Sequence, residues 1–415
     1  MIEIKEVKTR KDIKNFVRFP IKLYKGNKYY VPNLEIDEIN KFDSRKNESW
    51  DECDIIAFLA YKDGKIVGRV AGIIQNTYNQ SHNEKRVRFS RFDSIDDVEV
   101  AKALLNAVES WAKAKGMTVA HGPMGYNDLD REGLLIEGFD QYQTFEEQYN
   151  YDYYPKLIEA CGYKKEVDWL EYRLFTPKEQ NERVHRFADV VMKRYKLHLA
   201  HPKNMKEVIN KYADGIFEVL EKAYAPLYGV VSLSEKVRKA LIGQFNLILD
   251  VKYLIIILNE KEEVVSFGLA FPSLSEAVTK SKGRLLPFGL FRILKAIKKP
   301  KIVDLGLIGV LPEYQNRGLN AIILNYIITN MIKSGVEAAE TNLMLEDNSK
   351  IQNQWDAFDH IQHKRRRAYV KNLVEEPKSK QKSATKKSTK TTKGKTEKPT
   401  PKTVKKPATK KATTK

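Results

Sequence analysis

Short apolar runs that suit β-strands alternate with amphipathic stretches along most of the chain. The runs at 55–61 and 66–75 flank Asp63-Gly64, and Asp-Gly between two such runs is the strongest short signal for a β-hairpin. Residues 98–115 instead place their apolar side chains on one helical stripe. The pattern predicts an α/β (α+β) fold in which strands and helices alternate.

The same order of elements is predicted twice, with different residues in the two halves. Each half has a hairpin, a further strand and then a helix; in the second half this strand is at 302–310 and the helix at 320–333. Repetition of a pattern predicts tandem copies of one structural unit. We predict a first unit over 1–176, a second over 177–376 and a separate tail over 377–415, and both units have ordinary domain size.

The turn before the 320–333 helix has the most specific pattern in the chain, Val310-Leu-Pro-Glu-Tyr-Gln-Asn-Arg-Gly-Leu-Asn-Ala321. A helix N-terminus has unpaired N–H groups and the positive end of the helix dipole, which together suit a phosphate or pyrophosphate. Gly318 lets the backbone approach such an anion closely. The alternative is an ordinary strand-to-helix turn that is capped by Asn316 or Asn320.

Gln315, Gly318 and Ala321, entered through Val310 and Pro312, resemble the acyl-CoA pyrophosphate loop of the GNAT N-acetyltransferase superfamily. That family's pattern is Gln/Arg-x-x-Gly-x-Gly/Ala after a strand that ends Val-x-Pro. The resemblance implies tandem GNAT-like units and an N-acyltransferase that uses acetyl-CoA or another acyl-CoA as co-substrate, without a metal. It also implies the residues that bind the CoA, which are Ile308, Val310, Gln315, Asn316, Arg317, Gly318, Leu319, Asn320 and Ala321.

The two halves differ in this loop. Asn320 departs from the family pattern, which has Gly or Ala there, and Ala321 substitutes only with a shift of one residue. In the first half, Ser94–Val100 stands in place of the loop, and its three acidic residues would cap the helix themselves and repel a pyrophosphate. We therefore predict that only the second unit binds CoA, while the first unit either completes the substrate cleft or is a structural remnant.

Acyl transfer to an amine requires a polarised carbonyl, a proton acceptor and a leaving thiolate. The resemblance assigns the first task to backbone N–H groups of 308–311, with Val310 central. Strand alternation leads us to predict Glu346 as the general base, and an exposed strand-end carboxylate is the alternative. Many relatives carry a Tyr on the next helix as the acid, whereas this chain has Trp355 and Phe358 in that region.

Three other segments leave two interpretations open. Tyr126, Asn127 and Asp128 lie in a polar loop that either reads a polar or cationic substrate or is simply solvated. The apolar and then basic segment 284–299 is either a lid for a lipophilic chain or membrane surface, or a short helix packed on the sheet. The basic run 364–367 either clamps the adenosine 3′-phosphate or forms a solvated strand edge.

The tail carries most of the net charge of +19. Residues 377–415 contain 15 Lys and one Glu and have no aromatic residue, so we predict that they are disordered. Lys without interleaved aromatics favours phosphate contact, so the tail either binds nucleic acid non-specifically or only aids solubility.

Location and overall function follow from the remaining features. The two cysteines lack metal-ligand spacing, the N-terminus lacks an apolar signal segment, and no apolar run is long enough to be transmembrane. We therefore predict a cytoplasmic N-acyltransferase, in the simplest case an N-acetyltransferase, that acts on an amine of a small molecule or protein. The alternative is a non-catalytic GNAT-fold binding protein that its Lys-rich tail holds on nucleic acid.

Overall fold

A continuous mixed sheet organises the part of the chain that the computed structural model describes, residues 1–374 apart from the side chains of Lys350 and Ala357. Its strands are β1 (Ile2–Glu6), β2 (Cys53–Lys62), β3 (Lys65–Gln75), β4 (Arg86–Ser94), β5 (Val119–Gly122), β6 (Leu134–Glu137), β7 (Lys164–Phe175), β8 (His198–Leu199), β9 (Leu254–Leu258), β10 (Val264–Pro272), β11 (Ile302–Val310), β12 (Ala338–Thr341), β13 (Met344–Leu345) and β14 (His360–Asn372). The predicted tail lies outside the described residues.

Helices pack on this sheet through their apolar faces. They are α1 (Arg10–Leu23), α2 (Glu35–Lys41), α3 (Asn76–His82), α4 (Val98–Ala114), α5 (Tyr154–Ala160), α6 (Glu182–Arg194), α7 (Met205–Lys211), α8 (Ala213–Tyr224), α9 (Glu235–Ile248), α10 (Ser275–Lys280), α11 (Gly289–Lys298), α12 (Leu319–Ser334) and α13 (Ser349–Gln352). No helix in the described range is long and apolar enough to cross a membrane.

The two halves repeat one arrangement, as the sequence predicts. Strands β2, β3 and β4 are antiparallel neighbours, and β4 then pairs in parallel with β5. Strands β9, β10 and β11 repeat this order, and β11 pairs in parallel with β12. A parallel pair needs a crossover connection, and α4 and α12 supply it in the two halves.

The last strand of each half pairs with the other half. Strand β14, at the end of the described chain, lies between β5 and β7, and β7 pairs with β12. The central part of the sheet is therefore built from both halves, and residues 1–374 form one compact unit. The unit boundary at residue 176 stays a prediction.

The basic run 364–367 lies on this central strand, so the interpretation of a solvated strand edge is wrong, while the clamp on the adenosine 3′-phosphate stays a prediction. Lys364 is 1% exposed and Arg366 is fully buried. Lys364 Nζ lies 2.7 Å from one carboxylate oxygen of Glu171, and Arg366 Nε lies 2.6 Å from the other. A buried charge without a counter-charge is strongly destabilising, so this central strand carries its cations only beside matching carboxylates.

Candidate active site

A cavity of about 660 Å³ takes its walls from both halves of the chain. The first half contributes the loop 128–132, the pair Glu146 and Glu147, and Trp169. The second half contributes the end of α8, the C-terminal part of β11 and the turn into α12. The arrangement agrees with the interpretation in which the first half completes the cleft.

Strand β11 presents an unpaired edge to this cavity. It pairs in parallel with β12 from Ile302 to Leu305, and the carbonyl of Leu305 accepts a hydrogen bond from the N–H of Asn342 at 3.2 Å. Beyond this point the two strands separate, and no described strand pairs with this edge at 306–310. Side chains contact this edge in place of a strand: the carbonyls of Gly306 and Val310 accept hydrogen bonds from the side-chain amides of Asn342 and Gln315, both at 3.4 Å.

The turn into α12 leaves the helix N-terminus without a side-chain cap. Asn316 and Gly318 both have positive φ, at 59° and 83°, and the helix begins at Leu319. The alternative of a cap by Asn316 or Asn320 is therefore wrong. In the first half, the carboxylate of Asp97 accepts a hydrogen bond from the N–H of Glu99 and caps α4, so of the two crossover helices it is α12 that leaves its first turn open to an anion.

Most of the predicted CoA residues line the cavity. Arg317 instead lies over two rings, with its guanidinium carbon 4.7 Å from the centre of Tyr195 and 5.0 Å from that of Tyr314. Asn320 has a buried side-chain oxygen without a hydrogen-bond partner. The uncapped helix and Gly318 fit a pyrophosphate, whereas the Asn320 oxygen is an acceptor and suits a hydrogen-bond donor instead. The residues in the wall are Ile308, Val310, Gln315, Asn316, Gly318, Leu319, Asn320 and Ala321.

Buried carboxyl groups of Asp128, Glu132 and Glu147 also line this cavity. Glu132 is 9% exposed, and its Oε2 has no hydrogen-bond partner. Burial, reinforced by Asp128 and Glu147, raises the pKa of Glu132 well above its usual value. Burial likewise raises the pKa of Asp128, and it raises the pKa of Glu147 to about 8. Carboxyl groups with perturbed pKa values in a cavity are candidates for catalytic roles.

Asp130 is part of the same wall and has the opposite character. Its carboxylate receives two hydrogen bonds from the guanidinium of Arg91, at 2.6 and 2.9 Å, and an ion pair from Lys41 at 2.5 Å. Burial alone would raise the pKa of Asp130, but Arg91 and Lys41 hold this pKa well below its usual value. Asp130 therefore anchors the loop that carries Glu132.

Asp130→Asn is expected to lower the free energy of unfolding by about 3 kcal/mol, because Arg91 would then remain buried with only part of its counter-charge. Urea unfolding at neutral pH measures this loss. Asp128→Asn is the matched control, since its Oδ1 would still accept the hydrogen bond from the N–H of Val231. Equal stability of the two variants would contradict the anchoring role.

The predicted substrate and base residues have distinct positions. Asp128 lines the cavity, whereas Tyr126 donates its hydroxyl to the carbonyl of Lys41 and Asn127 accepts from the N–H of Leu129. Glu346 is outside the described cavity wall. Its carboxylate pairs with Lys165 at 2.5 Å and with Arg365 at 3.2 Å. Its role as a base stays a prediction, and Glu132 is better placed for that role.

Tyr224, at the end of α8, was not singled out from the sequence. Its hydroxyl lies 3.4 Å from the N–H of Ile308 and 3.3 Å from the carbonyl oxygen of that residue, on the unpaired edge of β11. Burial raises the pKa of Tyr224 to about 12. No sequence signal could identify it, because the contact joins residues 84 positions apart.

Comparison with known proteins places this geometry in context. No family model matches the chain. The chain is 27% identical to Protein YghO of Escherichia coli K12 over 376 residues. The aligned part is 88% of this chain and 94% of that protein. It is also 25% identical over 316 residues to a Caulobacter vibrioides protein named bacterial ceramide synthase, over 74% of this chain and 80% of that protein.

Solved structures share the architecture. A tandem GNAT protein from the clavulanic acid biosynthesis pathway superposes with a TM-score of 0.54 at 9% identity, over 91% of this chain and all of that chain. A GCN5-related glucosamine N-acetyltransferase region of a fungal multi-domain β-N-acetylglucosaminidase has a TM-score of 0.53 at 11% identity, over 89% of this chain and 38% of that chain. The chain thus has the GNAT fold in two tandem units.

Proposed function

We propose that this protein is an acyl-CoA-dependent N-acyltransferase whose acceptor is an amine with an apolar body. The observation that carries the proposal is one cavity that joins the uncapped start of α12, the unpaired edge of β11 and the unpartnered carboxyl of Glu132. The relative named bacterial ceramide synthase supports an apolar acceptor, since a ceramide is the amide of a fatty acid and a long-chain amino alcohol.

The turn residues 315–321 would hold the pyrophosphate of the acyl-CoA. The first N–H groups of α12 would donate to the phosphate oxygens, and Gly318 keeps the approach clear of a side chain. The bound co-substrate would supply an activated acyl group as a thioester. The peptide groups of β11 at 306–310 would then orient its carbonyl.

The amine would bind beside the carboxyl groups of Asp128, Glu132 and Glu147 in the cavity wall. The buried carboxyl groups would accept hydrogen bonds from its N–H groups, and the aromatic and aliphatic part of the wall, including Trp169, Phe245 and Trp355, would cover an apolar body. Glu132 would accept the proton that the amine nitrogen loses as it forms the new C–N bond. Burial raises the pKa of Glu132, and this makes its carboxylate a stronger proton acceptor.

Tyr224 would assist the departing sulfur. A pKa of about 12 exceeds the value near ~8.5 of an ordinary thiol, so the hydroxyl would keep its proton and stabilise the thiolate by donating a hydrogen bond. Tyr224 would thus assist the leaving thiolate in place of the Tyr that many relatives carry where this chain has Trp355 and Phe358.

Tyr224→Phe is expected to lower kcat about 10- to 100-fold with little change in acyl-CoA binding, because one hydrogen-bond donor to developing charge is lost. Steady-state thiol release and calorimetry separate the two effects. Tyr253→Phe is the control, since it removes a buried hydroxyl that has no partner in the described structure. An unchanged kcat in Tyr224→Phe would remove this residue from the mechanism.

The proposed activity is tested with the full chain, acetyl-CoA and palmitoyl-CoA, each offered a short amine or a long-chain amino alcohol. We expect thiol release that depends on both partners and is fastest with the long-chain acceptor. The acyl-CoA that gives the higher kcat/KM identifies the donor chain length. Absence of both thiol release and CoA binding would favour the non-catalytic alternative.

A further inference from the structure

Helix α11 and the residues just before it carry an exposed apolar surface. Its members, named here the docking face, are Leu286, Phe288, Leu290, Phe291 and Leu294, with exposed fractions of 77, 65, 49, 70 and 55%. Few large apolar side chains elsewhere in the described residues are as exposed. An apolar patch of this kind on a protein surface marks an interaction site more often than chance.

The docking face is not needed to hold α11 in place. Gly289 and Ile293, on the opposite side of the helix, are buried, and Ile293 packs with Val31, Ala277 and Val278. The helix is therefore already fixed by one apolar stripe, as the packed-helix interpretation expects. The apolar residues on its other side require a different explanation.

The charges around the docking face indicate what kind of partner it binds. Residues 280–301 contain eight Lys and Arg and no Asp or Glu. Lys282, Lys295, Lys298 and Lys299 are exposed beside the apolar side chains. Apolar residues that insert below the headgroups, with cations at the level of the phosphates, are typical of a helix that lies in a membrane interface.

Other partners suit these charges less well. Two copies of the face would bring two sets of basic residues together, and like charges at short range oppose association. Nucleic acid would match the cations but would leave aliphatic side chains such as Leu286 and Leu294 without a favourable environment. A bilayer satisfies both parts of the surface.

We propose that the docking face places this protein on the surface of an anionic lipid bilayer. The helix spans only Gly289–Lys298, so it would lie in the interface rather than cross it. Ile248 of α9 packs against the core beneath α11, and Phe245 of the same helix lines the cavity. Helix α9 thus contacts both the core under the docking face and the cavity that the proposed function assigns to apolar substrates.

Co-sedimentation of the full chain with phosphatidylglycerol/phosphatidylcholine vesicles tests this proposal. We expect binding that survives moderate salt, because salt screens the Lys-rich tail but does not weaken apolar insertion. The double variant Phe291→Ser/Leu294→Ser is expected to lower the partition coefficient at least tenfold. It keeps the net charge, so any contribution of the tail to binding is unchanged.

Val190→Ser/Ile361→Ser is the matched control, because it removes two exposed apolar side chains of the described surface away from α11. This variant is expected to bind vesicles as the unaltered chain does. Equal vesicle binding by the α11 variant and the unaltered chain would overturn the proposal. So would self-association without vesicles that only the α11 variant loses, since that result would assign the face to a second copy.

Discussion

Gly318→Glu is expected to weaken acyl-CoA binding at least about 100-fold, which corresponds to about 2.7 kcal/mol. The new carboxylate would stand at the N-terminus of α12, where it would occupy the anion site and repel a pyrophosphate. The added Cβ would come within 2.8 Å of the outer end of the Phe187 ring, which must shift, and the φ of 83° strains any side chain at this position. Calorimetric titration with acetyl-CoA and palmitoyl-CoA measures the loss.

Gly335→Glu controls for backbone strain and for charge. Gly335 follows the other end of α12, also has a positive φ, 67°, and has open space around its Cα. The Gly335→Glu variant should bind acyl-CoA as the unaltered chain does. Similar affinities of the two glycine variants for acyl-CoA would show that the α12 turn is not the CoA site.

Glu132→Gln is expected to lower kcat/KM about 100- to 10,000-fold, the range for loss of a general base. The unaltered enzyme should gain activity as the pH rises and Glu132 loses its proton, and the variant should lack this dependence. A pH–rate profile measures both effects. Glu313→Gln, an exposed substitution on the turn before α12, is the control.

The same substitution should make the protein more stable. Because burial raises the pKa of Glu132, its contribution to stability is complete below the unfolded value near ~4.3 and is lost as the pH rises towards the native pKa. Glutamine carries no charge to bury, so at pH 8 the variant should be more stable by at least about 1 kcal/mol. At pH 4 the two proteins should be equally stable. A loss of both activity and stability would instead indicate a structural role for Glu132.

Local signals made part of this protein predictable. The Asp63-Gly64 hairpin and the strand–turn–helix around Gly318 depend on neighbouring residues, and both are confirmed. The self-capped start of α4 was predictable for the same reason, because Asp97 caps its own helix. Boundaries were less accurate: the predicted strand at 55–61 is longer in the structure, where β2 spans Cys53–Lys62.

Contacts between distant residues decided the rest. The sequence by itself determined the repeated order of strands and helices and the strand–turn–helix around Gly318, since both arise from local periodicity and from backbone groups near one another in the chain. Only the tertiary structure placed β14 between β5 and β7, buried Arg366, and brought Glu132 and Tyr224 to the cavity of the α12 turn. The pairing of strands from different halves sets these positions, and local propensity carries no information about which distant strand will be the partner.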